Sequence, residues 1–281
     1  MTRAKIEPAR ILVFDSGLGG LTVFKDIRRL RPEARYTYCA DDAVFPYGEL
    51  APDVVIARVT DVLAARFAII EPHVVVIACN TASTLVLGPL RARWPNIPFV
   101  GTVPAIKPAA EASHTRMISV LATPGTVARD YTAALVRDFG GDCAVNLVGS
   151  SRLASLAEAF LRGTKVADAD IAAEIAPAFV TDPNGRTDVV VLACTHYPLL
   201  MAQLRRLAPW EVNWIDPAPA IARRVDHLLA KAGFAAGGPA SGLGQACFTS
   251  GTQPNPALST ALAAYGLHRV EWALAPTKIN A

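Results

Sequence analysis

Two stretches of the chain decide its fold: V-V-V-I-A-C-N-T at residues 74–81 and V-V-V-L-A-C-T-H at residues 189–196. Each is an apolar, β-branched run that stops at Ala-Cys and then becomes polar. Such runs are typical of strands that are buried on both faces of a parallel sheet. Ligands of open α/β sheets bind beyond the carboxyl ends of the strands. Cys79 and Cys194 are therefore predicted to lie where chemistry is done, one in each half of the chain.

The rest of the chain alternates strand patterns with helical periodicity, which predicts an α/β fold with mainly parallel sheets. Strands are predicted at 11–15, 36–40, 74–78, 99–101, 117–122, 145–149, 189–193, 212–216, 245–249 and 269–273. Helices are predicted at 21–30, 53–70, 82–94, 123–139, 153–161, 167–179, 199–206, 218–230 and 256–265. Gly88-Pro89 is expected to kink or split its helix. Residues 104–108 are expected to cross between the halves, and residues 233–244 to form a flexible surface loop.

The composition indicates a well-cored globular protein, because 52% of the 281 residues are hydrophobic and 18% are charged. A net charge of +3 gives no reason to expect nucleic acid or a membrane as a partner. The first residues carry no signal-peptide pattern. The five cysteines are odd in number and form no C-x-x-C. This argues against a disulfide framework or a structural zinc site and favours the cytoplasm.

A glycine-rich turn, D-S-G-L-G-G at residues 15–20, follows the first predicted strand and precedes a helix. Its backbone N–H groups and the helix N-terminus favour an anion. A dinucleotide fingerprint starting at Gly17 would need glycine at position 22, where the chain has Thr22. The turn therefore predicts a carboxylate-sized ligand, and a tight turn with no ligand is the alternative.

Polar residues follow both cysteines, namely Asn80-Thr81 and Thr195-His196. They are suited either to binding carboxylates or to capping the next helix alone. A thiolate base on one side of a carbon and a thiol acid on the other suit the transfer of a proton between its two faces. The acids available to assist the thiols are Asp15, Asp41, Asp42 and Glu158. Cys39, Cys143 and Cys247 are interpreted as small buried hydrophobic residues.

At this point a family becomes recognisable, because seven motifs occur in order between about residues 11 and 229. They are D-S-G-L-G-G (15–20), F-P-Y-G-E (45–49), A-C-N-T-A-S (78–83), V-P-A-I-K-P (103–108), L-A-T-P-G-T-V (121–127), L-A-E-A (156–159) and C-T-H-Y-P-L-L (194–200). The set closely resembles the glutamate racemases of the aspartate/glutamate racemase superfamily. The motif D-x-x-x-F-P-Y-G-E at residues 41–49 resembles that of the proteobacterial type, although Asp42-Ala43-Val44 lacks the threonine and arginine of many members.

The resemblance implies an amino-acid racemase that interconverts L- and D-glutamate by a two-cysteine, two-base proton transfer, with no cofactor and no metal. It implies that D-glutamate is supplied for peptidoglycan synthesis, and hence for cell wall biogenesis and cell shape. It also implies two pseudo-symmetric, three-layer domains with the active site in the cleft between them. The expected domains are residues 1–103 plus 217–281, and residues 104–216.

Carried over residue by residue, the resemblance implies that Cys79 exchanges the α-proton on the D-glutamate side and Cys194 on the L-glutamate side. Asp15 would assist Cys79, whereas Glu158 and His196 would assist Cys194. The other matched positions would hold or support the amino acid: Asp15, Ser16, Tyr47, Gly48, Asn80, Thr81, Thr195 and His196 as substrate-binding residues, and Asp41, Thr123 and Thr126 as supporting residues.

The resemblance also suggests partners beyond glutamate. Some proteobacterial members require UDP-N-acetylmuramoyl-L-alanine as an activator, and homodimers occur in the family. No membrane and no nucleic acid is expected as a partner, and the expected location is cytoplasmic.

Three other functions remain open. An aspartate racemase of the same superfamily would differ in pocket walls that the sequence does not reveal. A two-domain amino-acid binding protein would have no need of two matched cysteines. A thiol redox or metal sensor could use Cys79, Cys194 and His196 as zinc ligands, but no local pair of ligands with metal spacing supports it.

Overall fold

The computed structural model describes residues 7–272 apart from residue 184 and residues 241–243. The chain divides into two compact units, Met1–Thr102 with Ala218–Ala281, and Val103–Pro217. Each unit has its own parallel sheet with helices between the strands, so the predicted α/β fold is confirmed. None of the helices within the described ranges is both long enough and apolar enough to cross a membrane.

The strands in chain order are β1 (Arg10–Asp15), β2 (Arg35–Ala40), β3 (Val74–Ile77), β4 (Phe99–Gly101), β5 (Met117–Ala122), β6 (Ala144–Gly149), β7 (Thr181–Asp182), β8 (Gly185–Arg186), β9 (Val189–Ala193), β10 (Asn213–Ile215), β11 (Gly244–Phe248) and β12 (Leu267–Glu271). The α-helices are α1 (Leu21–Leu30), α2 (Pro52–Ile70), α3 (Asn80–Arg93), α4 (Ile106–Ala112), α5 (Pro124–Val127), α6 (Asp130–Phe139), α7 (Leu153–Leu161), α8 (Asp168–Ile175), α9 (Met201–Leu207), α10 (Ala218–Lys231) and α11 (Pro256–Ala264). Short 3-10 turns cover Asp42–Val44, Tyr47–Glu49, Ala176–Ala178 and Tyr197–Leu200.

The first unit is built on a parallel sheet with the order β12-β11-β2-β1-β3-β4. Its interior strands β1 and β3 contain the apolar, buried runs of residues 11–14 and 74–77. In register, Asp15 lies opposite Ala40, and Phe14 lies opposite Ile77. The carboxyl ends of β1, β2 and β3 therefore meet at one edge of the sheet, which brings the residues that follow them into one neighbourhood.

The second unit repeats this construction with a parallel sheet of order β10-β9-β5-β6. Ala122 on the central strand β5 lies opposite Gly149 of β6 and Ala193 of β9. The next residues after these strand ends are Thr123, Ser150 and Cys194. The two cysteine stretches thus occupy equivalent places, each at the carboxyl end of a buried strand in its own unit.

Some predicted helices differ from those observed. Helix α3 begins at Asn80 and runs unbroken through Pro89. The proline removes one backbone hydrogen bond, but Val86 and Leu90 beside it pack into the core. The helix predicted over 123–139 is wrong, because it is interrupted by Arg129, whose backbone is extended. The hydroxyl of Thr132 instead donates to the carbonyl oxygen of Thr126 at 2.7 Å.

The connecting segments also differ from expectation. Residues 104–108, expected as a crossover, include the start of α4. The helix predicted over 167–179 is α8 followed by the 3-10 turn Ala176–Ala178. The surface loop predicted over 233–244 includes a buried Phe234, and its residues 241–243 lie outside the described ranges, as does residue 273 of the last predicted strand.

Candidate active site

The first thiol, that of Cys79, lies two residues after the end of β3 and caps helix α3. Its sulfur accepts hydrogen bonds from the backbone N–H of Ala82 at 3.5 Å and from the hydroxyl of Ser16 at 3.5 Å. Donors and the positive end of a helix both favour negative charge on sulfur. The side chain is almost fully buried, which by itself disfavours a thiolate, so the two donors and the helix N-terminus are the groups that would offset this cost.

Asp15 ends the neighbouring strand β1 and is fully buried. Its Oδ1 accepts from the N–H of Gly17 at 2.9 Å, so one of the turn's donors serves Asp15 itself. A Cβ on Gly20 would lie 2.8 Å from the Cβ of Asp15 and 3.0 Å from that of Ala78. Glycine is required at position 20 for this close approach, which keeps Asp15 beside the cysteine strand.

Asn80 follows the thiol and carries a polar side chain that the described residues leave unsatisfied. Both its amide nitrogen and its amide oxygen are buried and have no hydrogen-bond partner among them. An unsatisfied buried polar atom costs about 1–3 kcal/mol. Such a cost is tolerated where a ligand completes the hydrogen bonds, and Thr81 is buried beside it.

Tyr47 and Gly48 lie on a short 3-10 turn, and the tyrosine is buried. Its hydroxyl donates to Asp41 Oδ2. Burial, and then the charge of Asp41, raise the pKa of Tyr47 well above its usual value. The phenol therefore stays protonated and is held by Asp41. Arg58 and Thr249 also donate hydrogen bonds to this carboxylate.

The second thiol, that of Cys194, heads a chain of polar groups in the second unit. Its sulfur lies 3.8 Å from His196 Nδ1, and His196 Nε2 lies 3.0 Å from Glu158 Oε1. Arg162 Nε donates to the other oxygen of Glu158 at 3.3 Å. Helix α7 presents Glu158 on the face that it buries. The thiol, imidazole and carboxylate are all buried, which suits proton movement from one of these three groups to the next.

The groups that surround His196 favour a charged imidazole. Burial by itself lowers the pKa of His196. Hydrogen bonds to Cys194 and Glu158, together with their charges, raise it by more, so that it lies well above 6.5.

We expect Glu158→Gln to lower the pKa of His196, because burial then acts against a weaker stabilisation of the imidazolium. The check is a proton NMR titration of the His196 ring. Glu174→Gln is the matched control, since Glu174 is a half-buried carboxylate that binds Ser150 instead. An unchanged pKa in Glu158→Gln would contradict the expectation.

The same shift predicts a pH dependence of stability. The raised pKa of His196 gives a contribution to the free energy of unfolding that is fully present below the unfolded pKa of about 6.5 and is lost as the pH rises through the folded pKa. The stability difference between wild type and Glu158→Gln should therefore shrink over that window.

The structure also places the remaining predicted residues. Thr123 caps α5, because its hydroxyl accepts from the N–H of Thr126 at 3.3 Å and lies 3.1 Å from the hydroxyl of Thr126. Thr195 is buried beside Cys194. Asp42 binds the N–H groups of Thr249 and Ser250, so it supports a loop.

The remaining cysteines contrast with the two thiols. All five cysteines of the chain are free. Cys39 and Cys247 lie opposite each other on β2 and β11. Burial raises the pKa of both thiols, that of Cys247 to about 11, which makes them unreactive near neutral pH. Within the described ranges, no group of three His, Cys, Asp or Glu side chains is placed to hold a metal ion.

Sequence reasoning missed several residues around the thiols. Arg58 falls on the buried face of α2 with Val55, Val59 and Val62, and an arginine on an apolar face is a signal for a buried ion pair. Arg162 follows Glu158 at helical spacing. Nothing local marks Thr249. Tyr197 is fully buried, and burial, followed by the nearby Cys194, raises its pKa.

Known proteins resemble this chain in sequence and in fold. Residues 28–225 match the profile of the Asp/Glu/Hydantoin racemase family. The glutamate racemase of Brucella anthropi is 55% identical over 219 residues, which are 78% of this chain and 79% of the relative. Escherichia coli glutamate racemase, solved in complex with L-glutamate and the activator UDP-MurNAc-Ala, superposes with a TM-score of 0.85 at 37% identity, covering 94% of this chain and 97% of that one. Glutamate racemase from Thermus thermophilus, solved with β-chloro-D-alanine, gives a TM-score of 0.70 at 28% identity over 94% and 96% of the two chains.

Proposed function

This chain belongs to the Asp/Glu/hydantoin racemase family, and from that premise we propose that it interconverts L- and D-glutamate by a two-thiol proton transfer. Family membership makes the protein an isomerase. The observation that carries the proposal is that each unit places a buried cysteine after the end of a buried central strand. Cys79 is set beside Ser16 and the start of α3, and Cys194 beside His196 and Glu158.

In the proposed reaction, the thiolate of Cys79 removes the α-proton of D-glutamate, and the thiol of Cys194 delivers its proton to the opposite face of the carbanion. The product is L-glutamate, with Cys79 as thiol and Cys194 as thiolate. The reverse reaction exchanges the two roles. His196, held by Glu158, would stabilise the thiolate of Cys194. Around Cys79, Ser16 would donate a hydrogen bond to the thiolate, whereas Asp15, a carboxylate, would orient the thiol and accept a proton from it.

Without a cofactor, the carbanion must be stabilised by the protein. We assign that stabilisation to fixed donors around the substrate carboxylates and to exclusion of water. The unsatisfied amide of Asn80 supports this assignment, and we add Thr81, Thr195 and the turn at Tyr47 and Gly48. Thr123, Thr126 and Asp41 would support these groups from behind.

The proposal includes the domain organisation and the biological role. Residues 1–103 with 217–281, and residues 104–216, would act as two racemase domains, each of which supplies one of the two thiols. The protein would act in the cytoplasm, and its D-glutamate would be a building block for peptidoglycan synthesis. The activator bound by the Escherichia coli relative supports testing UDP-N-acetylmuramoyl-L-alanine as an activator of this protein.

The test is α-proton exchange of the purified protein in D2O, followed by NMR and by chiral analysis. We expect exchange with inversion for both enantiomers of glutamate, and turnover of aspartate to be at least about tenfold slower because a pocket discriminates one methylene by roughly that factor. Each substrate is measured with and without the activator. Binding of glutamate without exchange under any condition would favour a binding protein, and faster turnover of aspartate would favour the other racemase.

A further inference from the structure

The Asp41 carboxylate, which directly follows β2, is the centre of a buried network. Arg58 Nε lies 2.9 Å from Oδ2 and 3.1 Å from Oδ1, and its Nη2 lies 2.6 Å from Oδ1. The Thr249 hydroxyl donates to Oδ1 at 2.6 Å, and the Tyr47 hydroxyl donates to Oδ2. The network joins helix α2, the end of β11 and the turn at Tyr47. It thereby ties together segments that are far apart in the sequence.

The direction of each hydrogen bond follows from the ion pair. A carboxylate paired with a guanidinium has no proton, so both hydroxyls must donate to it. Thr249 fits this pattern, since its oxygen accepts from the N–H of Ala43 at 3.2 Å. The single proton of Tyr47 is therefore committed to Asp41. What the turn has left for a substrate is the backbone of Tyr47 and Gly48 and the lone pairs of the phenol oxygen.

The anchored turn lies next to the first thiol. Tyr47 and Cys79 belong to the same buried cluster as Phe14 and Ile77. The charge of Cys79 also contributes, after burial and Asp41, to the raised pKa of Tyr47. The two side chains are thus close enough to interact, and a shift of the Tyr47 turn would alter the surroundings of Cys79.

Stability alone is a weak explanation for this ion pair. Removing two charges from water costs about as much as their attraction returns, and apolar residues of similar volume are often equally stable. A bidentate guanidinium, however, fixes the position of a carboxylate more sharply than an ammonium does. The network is therefore better suited to geometry than to stability.

We propose that Arg58 and Thr249 are positioning residues of the substrate site, which act through Asp41 to hold the turn of Tyr47 and Gly48 in place beside Cys79. This inference rests on the proposed function, because it takes that turn to be part of the glutamate site. Neither residue need touch the substrate.

The test separates the KM from the kcat of Arg58→Lys, Thr249→Val and Tyr47→Phe. If the turn binds substrate, Arg58→Lys and Tyr47→Phe should each raise the KM for glutamate about tenfold while kcat changes less than about threefold. Thr249→Val removes one hydrogen bond to Asp41 and leaves those from Arg58 and Tyr47. It should therefore raise KM less than Arg58→Lys does. A merely structural role would reduce the active fraction, and hence the apparent kcat, without changing KM.

The double variant Arg58→Lys/Tyr47→Phe tests whether arginine acts through the tyrosine. Its KM should match that of Tyr47→Phe, because residues that act through one another are not additive. The matched control is Arg66→Lys, since Arg66 is a second buried arginine on α2 that pairs with Glu271. We expect Arg66→Lys to leave KM unchanged.

Three results would overturn the inference: an unchanged KM in Arg58→Lys, a fully additive double variant, or an equal rise of KM in Arg66→Lys. The dissociation constant of glutamate, measured by calorimetry, is read in parallel for every variant. If wild type binds glutamate without exchanging its α-proton, the proposed function fails and the dissociation constants decide the inference. If wild type neither exchanges nor binds glutamate, both fail.

Discussion

Serine in place of Cys79 or Cys194 is expected to lower the rate of glutamate racemisation by about 100- to 10,000-fold, which is the usual contribution of a positioned acid or base. A serine hydroxyl does not ionise near neutral pH, so it replaces neither the thiolate base nor its proton exchange. In Cys79→Ser, a hydroxyl oxygen replaces the sulfur that accepts hydrogen bonds from Ser16 and Ala82, so the position keeps an acceptor but loses the thiol.

The loss should depend on the enantiomer. In Cys79→Ser, exchange of the α-proton of D-glutamate should disappear, whereas L-glutamate should keep a residual exchange without inversion through Cys194. Cys194→Ser should show the opposite pattern. The measurement is deuterium incorporation into each enantiomer in D2O.

Cys143→Ser is the matched control, because Cys143 is a half-buried cysteine that has no role in the proposal. It should keep wild-type exchange. Near-normal racemisation in either site variant, or equal losses for both enantiomers in each, would contradict the two-thiol assignment.

Arg31→Met is expected to lower the free energy of unfolding by about 3 kcal/mol, because it leaves buried acceptors unsatisfied. Arg31 is 1% exposed. Its Nε lies 2.6 Å from Asp226 Oδ1, and its Nη atoms donate to the carbonyl oxygens of Asp226 and Phe234 at 2.9 and 3.0 Å. The Asp226 side chain is 40% exposed, so water relieves its charge. Glu33, 3.5 Å from Arg31 and only 14% exposed, and the two carbonyl oxygens therefore carry most of the cost.

Urea unfolding followed by circular dichroism gives the comparison. Arg29→Met is the matched control, because Arg29 lies in the last turn of α1 and Arg31 directly follows that helix. Its side chain is 71% exposed and lies 3.7 Å from Asp26, so its loss should cost less than about 0.5 kcal/mol. Equal unfolding midpoints for the two variants would show that Arg31 does not hold α10 to α1.

The glycine turn shows how far a local pattern can reach. Its position between a strand and a helix is correct, and the absence of a dinucleotide fingerprint is visible at Thr22. The reason for Gly20 is not visible locally, since it lies in the approach of a Cβ to Asp15 and Ala78. A close contact between two strand ends depends on their pairing.

Sequence by itself determined the strands of the two parallel sheets and, for each sheet, the edge at which its thiol lies. A buried β-branched run records burial on both faces, and its polar ending marks the carboxyl end, so Val74–Ile77 and Val189–Ala193 are readable within a few residues. The resemblance to a family added Glu158 and Asp41 as candidate site residues, but it did not identify their hydrogen-bond partners. The single helix predicted over 123–139 failed because a side-chain bond from Thr132 to Thr126 competes with a weak local preference.

Only the tertiary structure decided the partners. It brings Glu158 within hydrogen-bond distance of His196. It also brings Arg58 and Thr249 to Asp41, although Thr249 is 208 residues away from Asp41 along the chain. Propensity and periodicity act over one or two turns of helix, or along one strand. Which buried polar group meets which depends on how whole faces pack, because each desolvated charge must find its partner among residues that folding brings together.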